Sequence, residues 1–413
     1  MLCLLARRSR QMRLHKFCAE RALCNYNTNM KSQYLLGGFK TMSSVAFAER
    51  IGNAFEARVP SLLAPLKTVS RKRILEIDIL RTAAILLLVL YNLPGSTAAG
   101  STADVPVTVV SNYPLQLVGF TGVCIFFFVS GLSLSISNKI RDRGDVISFF
   151  SKRMVRIYPL YWVFVAGILI SYRPSLSSSA IYIVGWQALL YPIFIPTNIY
   201  HFVSVLLIFY LLFPLLAIYN DLRKLIIVSL VPFLFFAALQ LRWGLSDTMF
   251  LRYYGLFVAG IVAGNADVHN KIRQMNSKRF FVFTIPAFGA LLFIWLVLAE
   301  RYIDTIIFMA VLSNLLGVSI VLITLYWAAF YVKASRAKFY AFFTFVAFAT
   351  YGIYFINIPF FVRVGQTLQF RFNIGETATT VILIAFIPFV VVAGYFLQFI
   401  TNKVTNPLRN QKH

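Results

Sequence analysis

Apolar segments alternate with short polar ones along most of this chain. From residue 73 onward they fall near 73–94, 115–137, 158–171, 200–219, 224–241, 249–266, 280–299, 305–332, 340–363 and 377–400. Each is read as one membrane-spanning helix. The first, RILEIDILRTAAILLLVLYNLP, opens with Arg73, Glu76, Asp78 and Arg81 and closes on Tyr91, Asn92, Leu93 and Pro94. At ~100° per residue, the eleven steps from Arg81 to Asn92 return to nearly the same helix face, roughly 16 Å along the axis. Asp78 lies one turn before Arg81, so the two can pair along that face. An arginine near one end of a span and an amide near the other are the seed of a polar path through a membrane. The plainer alternative is that Arg81 snorkels to the headgroups and Asn92 caps the helix.

Composition agrees with the pattern. Of 413 residues, 59% are hydrophobic and 13% charged, with a mean hydropathy of +0.75. That balance predicts an all-α polytopic transmembrane bundle. A formal charge of +25 would suit nucleic acid, but the basic residues sit in short loops between apolar segments, where Lys and Arg set topology. Nucleic acid is therefore excluded as a partner, and membrane lipid is the expected surroundings.

Topology turns on Ala180–Ile195, which is apolar but short and interrupted by Gly185 and Pro192. If it does not cross, the clusters Lys139–Arg156, Arg223–Lys224, Lys271–Arg279 and Lys333–Lys338 share the cytoplasmic side with the tail bearing Lys403, Arg409 and Lys412. If it crosses, every later cluster faces outward. The expectation is therefore ten spans with both termini inside, and 180–195 re-entrant or lying at the outer interface. Gly95–Asn112, polar and rich in Ser, Thr, Gly and Ala, reads as an exposed loop.

Residues 1–72 are basic, poor in acid and without a spanning segment; they read as a disordered or dispensable extension. A transit-peptide character, a later initiator and a lipid-touching tail are the alternatives. The transmembrane domain is expected over 73–402, followed by a basic cytoplasmic tail over 403–413. Cys3, Cys18, Cys24 and Cys124 form neither a paired framework nor a metal-ligand spacing, so no metal site is expected.

Four patches join the first helix: GVCIFFFVSG at 122–131, FFSKRMVRIYPLYW at 149–162, HFVSVLLIFYLLFP at 201–214 and ATYGIYFIN at 349–357. Their order and spacing resemble the acyltransferase 3 family of integral membrane acyltransferases. The resemblance runs from about Arg73 to about Pro359. It implies transfer of an acyl group, commonly acetyl from acetyl-CoA on the cytoplasmic side, to a hydroxyl of a carbohydrate or related acceptor at the outer face. The implied setting is a multi-pass plasma-membrane protein with no bound cofactor and acyl-CoA as co-substrate. Arg81 takes the place of the family's helix-one arginine, and Arg153 and Arg156 take its cytoplasmic RxxR positions. Guanidinium forks suit the phosphates of CoA; plain topology-setting charge is the alternative.

The chain departs from the family pattern where a base is needed. The helix-one histidine falls on Asn92, and the histidine ending the YxxYxxH-like pattern falls on Asn357. An amide can orient a hydroxyl or donate to an acyl carbonyl oxygen, but cannot take a proton near neutrality. His201 is the sole histidine within a span, either a substitute base or an interfacial hydrogen-bonding residue. The catalytic candidates are thus Arg81, Asn92, His201 and Asn357, and the donor-binding candidates Arg153 and Arg156. A catalytically silent relative that binds or translocates a polar or lipid-linked molecule is the alternative function. Tyr158, Tyr161, Trp162, Tyr191 and Tyr200 read as interface aromatics rather than a sugar platform, Gly122 and Gly131 as close-packing positions, and Ser130 as lacking the partners a nucleophile needs.

Overall fold

A computed structural model describes residues 74–95, 113–138, 140–190, 200–219, 221–244, 249–275, 277–301, 306–334 and 338–410. Among them every regular element is a helix. In chain order these are α1 (Leu75–Gly95), α2 (Tyr113–Ser137), α3 (Arg143–Tyr172), α4 (Leu176–Val184), α5 (Gln187–Leu190), α6 (His201–Ala217) and α7 (Leu222–Trp243). There follow α8 (Met249–Asn265), α9 (Val268–Gln274), α10 (Ser277–Arg301), α11 (Ile306–Ala334), α12 (Lys338–Gln366), α13 (Glu376–Ala385) and α14 (Ile387–Asn410). Six of them, α2, α3, α7, α11, α12 (with the π-helical turn Thr367–Arg371) and α14, are long and apolar enough to cross a membrane by length and composition. The chain is an all-α, polytopic membrane protein. The expected extension over 1–72 and most of the expected loop over 95–112 lie outside the described residues.

Three helices differ in extent from the apolar pattern, each for a local reason. The basic stretch expected as a loop before the third span is the first half of α3. Asp142 caps that helix by accepting from the Asp145 N–H at 2.8 Å, while the Asp145 carboxylate accepts from the Arg141 N–H at 2.9 Å. Two carboxylates at the positive end of the helix favour its start there. Arg153 and Arg156 therefore ride on a rigid helix rather than in a loop. The last span is divided at Phe386. Pro388 has no N–H to give the Ile384 carbonyl, which accepts from Phe386 instead. Lys403 and Arg409, expected in a tail, belong to the last turns of α14, which runs to Asn410.

The ambiguous segment becomes α4 and α5, of nine and four residues. At 1.5 Å per residue, α4 reaches about 14 Å, well short of the ~30 Å hydrocarbon thickness. Gly185 ends it at φ 86°, with its N–H on the carbonyls of Ile181 and Tyr182. Aromatic donors of α3 reach the last three carbonyls of α4: Tyr161 Oη to Tyr182, Trp162 Nε1 to Ile183 at 3.0 Å and Tyr158 Oη to Val184 at 2.7 Å. Three of the five aromatics expected as interface anchors, Tyr158, Tyr161 and Trp162, thus cap a helix C-terminus that has no further turn to satisfy it, while Tyr191 lies outside the described residues.

Side-chain and backbone contacts give the helix directions. Thr82 Oγ1 donates to the Phe343 carbonyl at 3.1 Å, and Asn92 Nδ2 to Asn357 Oδ1 at 3.1 Å, so α1 and α12 run parallel. Helices α2 and α8 are also parallel: Phe127 stacks on Tyr253, and Ser135 Oγ donates to Asn265 Oδ1 at 2.6 Å. Between those two contacts a Cβ added to Gly131 would meet the Phe257 carbonyl, and one added to Gly260 the Phe128 carbonyl. The two backbones touch, as small residues allow in a bilayer where apolar burial gives no net drive.

Candidate active site

Helices α1, α2, α3, α6 and α12 converge on a cavity of about 80 Å³. Arg81 enters it from α1, Arg153 and Arg156 from α3, Ser130 and Ser133 from α2, Tyr210 from α6, and Thr350 and Tyr351 from α12. None of the described lining residues is acidic. Two residues of α1 and α3, 72 positions apart in the chain for Arg81 and Arg153, are brought to one volume because both helices start at the same end of the bundle.

Each arginine is held differently. Arg81 Nη2 donates to Ser133 Oγ at 2.8 Å across the α1–α2 contact. The Arg153 guanidinium lies over the Phe149 ring at 5.6 Å and the Tyr210 ring at 5.7 Å. These π faces orient the charge without neutralising it. Arg156, one turn further along α3, is the exposed member of the three. Three guanidinium groups on one volume make an environment for an oxyanion of phosphate type, where planar donor forks find acceptors. Thr350 Oγ1 donates to the Val346 and Ala347 carbonyls at 3.2 and 2.9 Å and Tyr351 Oη to the Ile157 carbonyl at 3.4 Å, and Ser130 likewise commits its hydroxyl to the Phe126 carbonyl of its own helix at 2.8 Å. It has no base beside it among the lining residues, which agrees with the sequence reading.

A second polar station lies further along the same two helices. Asn92, roughly 16 Å up α1 from Arg81, donates to Asn357 of α12. Asn357 is fully buried, and its Nδ2 has no hydrogen-bond partner among the described residues. Between the stations, at helical spacing from them, stand Ile85 and Leu88 on α1 and Tyr354 on α12, all buried.

A family model described as an acyltransferase domain matches residues 74–398. The chain belongs to the acyltransferase 3 family. Comparison with curated proteins and with solved structures returned no match. Within this acyltransferase 3 domain lie every arginine of the cavity, both amides and His201.

The structure brings the six candidates together only in part. Arg81, Arg153 and Arg156 share the cavity, and Asn92 and Asn357 share a hydrogen bond. His201 opens α6, half-buried. Its neighbours Tyr200 and Phe202 both pack on Tyr354, with ring centroids 6.3 and 5.2 Å apart, three residues before Asn357. Gln187, fully buried on α5, braces that start: its Oε1 accepts from Tyr161 at 3.2 Å and its Nε2 donates to the Tyr200 carbonyl at 3.5 Å. Ser133, Tyr210, Thr350 and Tyr351 were given no role from sequence. Tyr210, Thr350 and Tyr351 stand inside the patches that carry the family resemblance. Ser133 lies two residues beyond one of them, and only its distance to Arg81 singles it out.

Proposed function

We propose that this protein transfers an acyl group, acetyl in the first instance, from acyl-CoA at the cytoplasmic face to a hydroxyl of a glycan or related acceptor at the outer face. The observation that carries the reading is the convergence of Arg81, Arg153 and Arg156 on one cavity lined otherwise by hydroxyls and apolar groups. Donor phosphates are held there, with Arg153 and Arg156 as donor-binding residues and Arg81 as the innermost contact. The distance from Arg81 to Asn92, roughly 16 Å, is comparable to an extended pantetheine arm. The thioester then lies beside Asn92 and Asn357.

In the transfer the acceptor hydroxyl oxygen bonds to the thioester carbonyl carbon, the carbon–sulfur bond breaks, and the hydroxyl proton is passed on as CoA leaves as a thiol. The amide pair supplies a hydrogen bond to the carbonyl oxygen as charge develops on it. Proton removal falls to His201, the substitute base, with the acceptor entering from the outer side. The protein sits in the plasma membrane with ten spans and both termini in the cytoplasm. The parallel course of α1 and α12 and of α2 and α8 supports an odd number of crossings between the members of each pair, as that count requires.

The test is release of CoA from acetyl-CoA by the purified protein in lipid, with crude surface glycan as acceptor. Turnover abolished by Arg81→Ala and reduced at least a hundredfold by His201→Gln supports the reading, since a general base contributes about 10²–10⁴-fold. Full activity of His201→Gln removes that residue from the mechanism. A second reading is favoured by the amides themselves, which stand at both positions where the family pattern has histidine: a silent relative that binds CoA or another polar ligand. Acetyl-CoA that binds and never turns over, with any acceptor offered, selects it.

A further inference from the structure

We propose a division of labour within the amide pair: Asn357 touches the acyl group, its Nδ2 donating to the acyl carbonyl oxygen, while Asn92 is a positioning residue that acts through Asn357. This rests on the acyltransferase reading above. Asn92 spends an N–H on Asn357 Oδ1 at 3.1 Å, and that bond decides which way the Asn357 amide faces. With Asn92 oriented as it is, turning Asn357 over alone would set its NH₂ against the NH₂ of Asn92; the two amides could turn only together. Held as it is, Asn357 presents a fully buried N–H group with no acceptor among the described residues. Leaving such a donor unmet is destabilising, and native proteins seldom keep one without a use for it.

Its location suits a carbonyl delivered from the arginine cavity. Ala347, Thr350, Tyr354 and Asn357 follow one another at spacings of three, four and three, so they share a face of α12. The first two line the cavity. Asn357 lies about 10 Å beyond Thr350 along the axis. On α1, Arg81, Ile85, Leu88 and Asn92 form the matching stripe, spaced four, three and four. The stretch between the stations is made of Ile85, Leu88 and Tyr354, all buried, an apolar run along which a carbonyl finds few competing donors. A hydrogen bond formed in such surroundings strengthens as negative charge builds on the acceptor. The amide already accepting from Asn92 is polarised toward donation.

The experiment is isotope-edited infrared spectroscopy of acetyl-CoA, labelled with ¹³C at the acetyl carbonyl, bound to the full-length protein in lipid nanodiscs. Calorimetry measures binding in parallel. The carbonyl band of the bound thioester is expected below its position in an apolar solvent. Asn357→Leu, nearly the same shape, is expected to abolish that shift while donor affinity changes less than threefold, and to lower turnover about 10²–10³-fold. Asn92→Ala is expected to broaden and weaken the band shift, because the amide of Asn357 is then free to turn. Asn357→Ala is measured beside the leucine variant in case the larger side chain disturbs the α1–α12 contact. A bound carbonyl that is unshifted, or whose shift survives both Asn357 variants, overturns this assignment while leaving the acyltransferase reading intact. Failure of the wild-type protein to bind acetyl-CoA overturns both.

Discussion

Arg81 enters the cavity from α1, and Ser133 of α2 is one of the groups that hold it. Ser133 Oγ fixes one guanidinium nitrogen at 2.8 Å. A hydrogen bond to a charged group contributes about 1.5–3 kcal/mol. Ser133→Ala is therefore expected to raise the KM for acyl-CoA about tenfold with kcat nearly unchanged, and Ser133→Thr to restore it; steady-state kinetics in nanodiscs check both. A general structural role for Ser133 would lower kcat and stability together instead. Arg153 is held by π faces. Tyr210→Phe should keep donor affinity within twofold, whereas Tyr210→Leu, which removes the ring, should weaken it about three- to tenfold, in line with 0.5–2 kcal/mol for such a contact. Calorimetric titration with CoA separates the two variants.

At the scale of elements, helix ends and close approaches decide the architecture. α4 is too short to satisfy its own last carbonyls across a membrane, and α3 supplies the donors. Tyr158→Phe and Trp162→Phe are each expected to cost about 1 kcal/mol, read as earlier thermal unfolding in detergent, with catalysis unaffected at low temperature. The α2–α8 contact is less forgiving. Gly131 and Gly260 each face a carbonyl of the other helix. Gly131→Leu is expected to separate the two helices and lose folded protein on size-exclusion chromatography. Gly167→Leu, at a site with nothing near its added Cβ, should behave as wild type. The contrast reads packing rather than helix propensity, since both glycines lie inside helices.

For the whole molecule, direction is the informative quantity. Seven long helices, α2, α3, α6, α7, α8, α10 and α11, lie between the parallel pair α1 and α12, and three, α3, α6 and α7, between the parallel pair α2 and α8. Odd numbers of crossings return each pair to the same direction. A crossing by α4 and α5 would make both pairs antiparallel. The expected outcome with Cys3, Cys18, Cys24 and Cys124 replaced by Ser is that Lys224→Cys and Lys403→Cys react with an impermeant maleimide only after permeabilisation. Ser175→Cys should react in intact cells. Labelling of Lys224→Cys in intact cells would reverse the arrangement. The three-arginine cavity also makes donor affinity sensitive to ionic strength. It should fall several-fold between low and physiological salt as the charges are screened.

Much of this was legible in the chain itself. Apolar runs of helical length, the basic residues between them and the spaced patches around Arg81, Arg153, Tyr210 and Tyr351 are local features. Local patterning was enough for helix type, membrane class and family. Gly185 likewise announced a break, which falls between the short helices α4 and α5. What the tertiary structure alone decided are meetings between distant residues: Arg81 with Ser133, Asn92 with Asn357, and the arginines of α1 with those of α3. The physical reason is that lipid and protein interior are both apolar, so a spanning helix has no polar face to reveal which side is buried. α2 and α7 are similarly apolar, yet α2 is mostly buried and α7 mostly exposed. The aromatic residues of α3 show the same limit. Composition placed them at an interface, and only the fold showed them closing the end of a neighbouring helix.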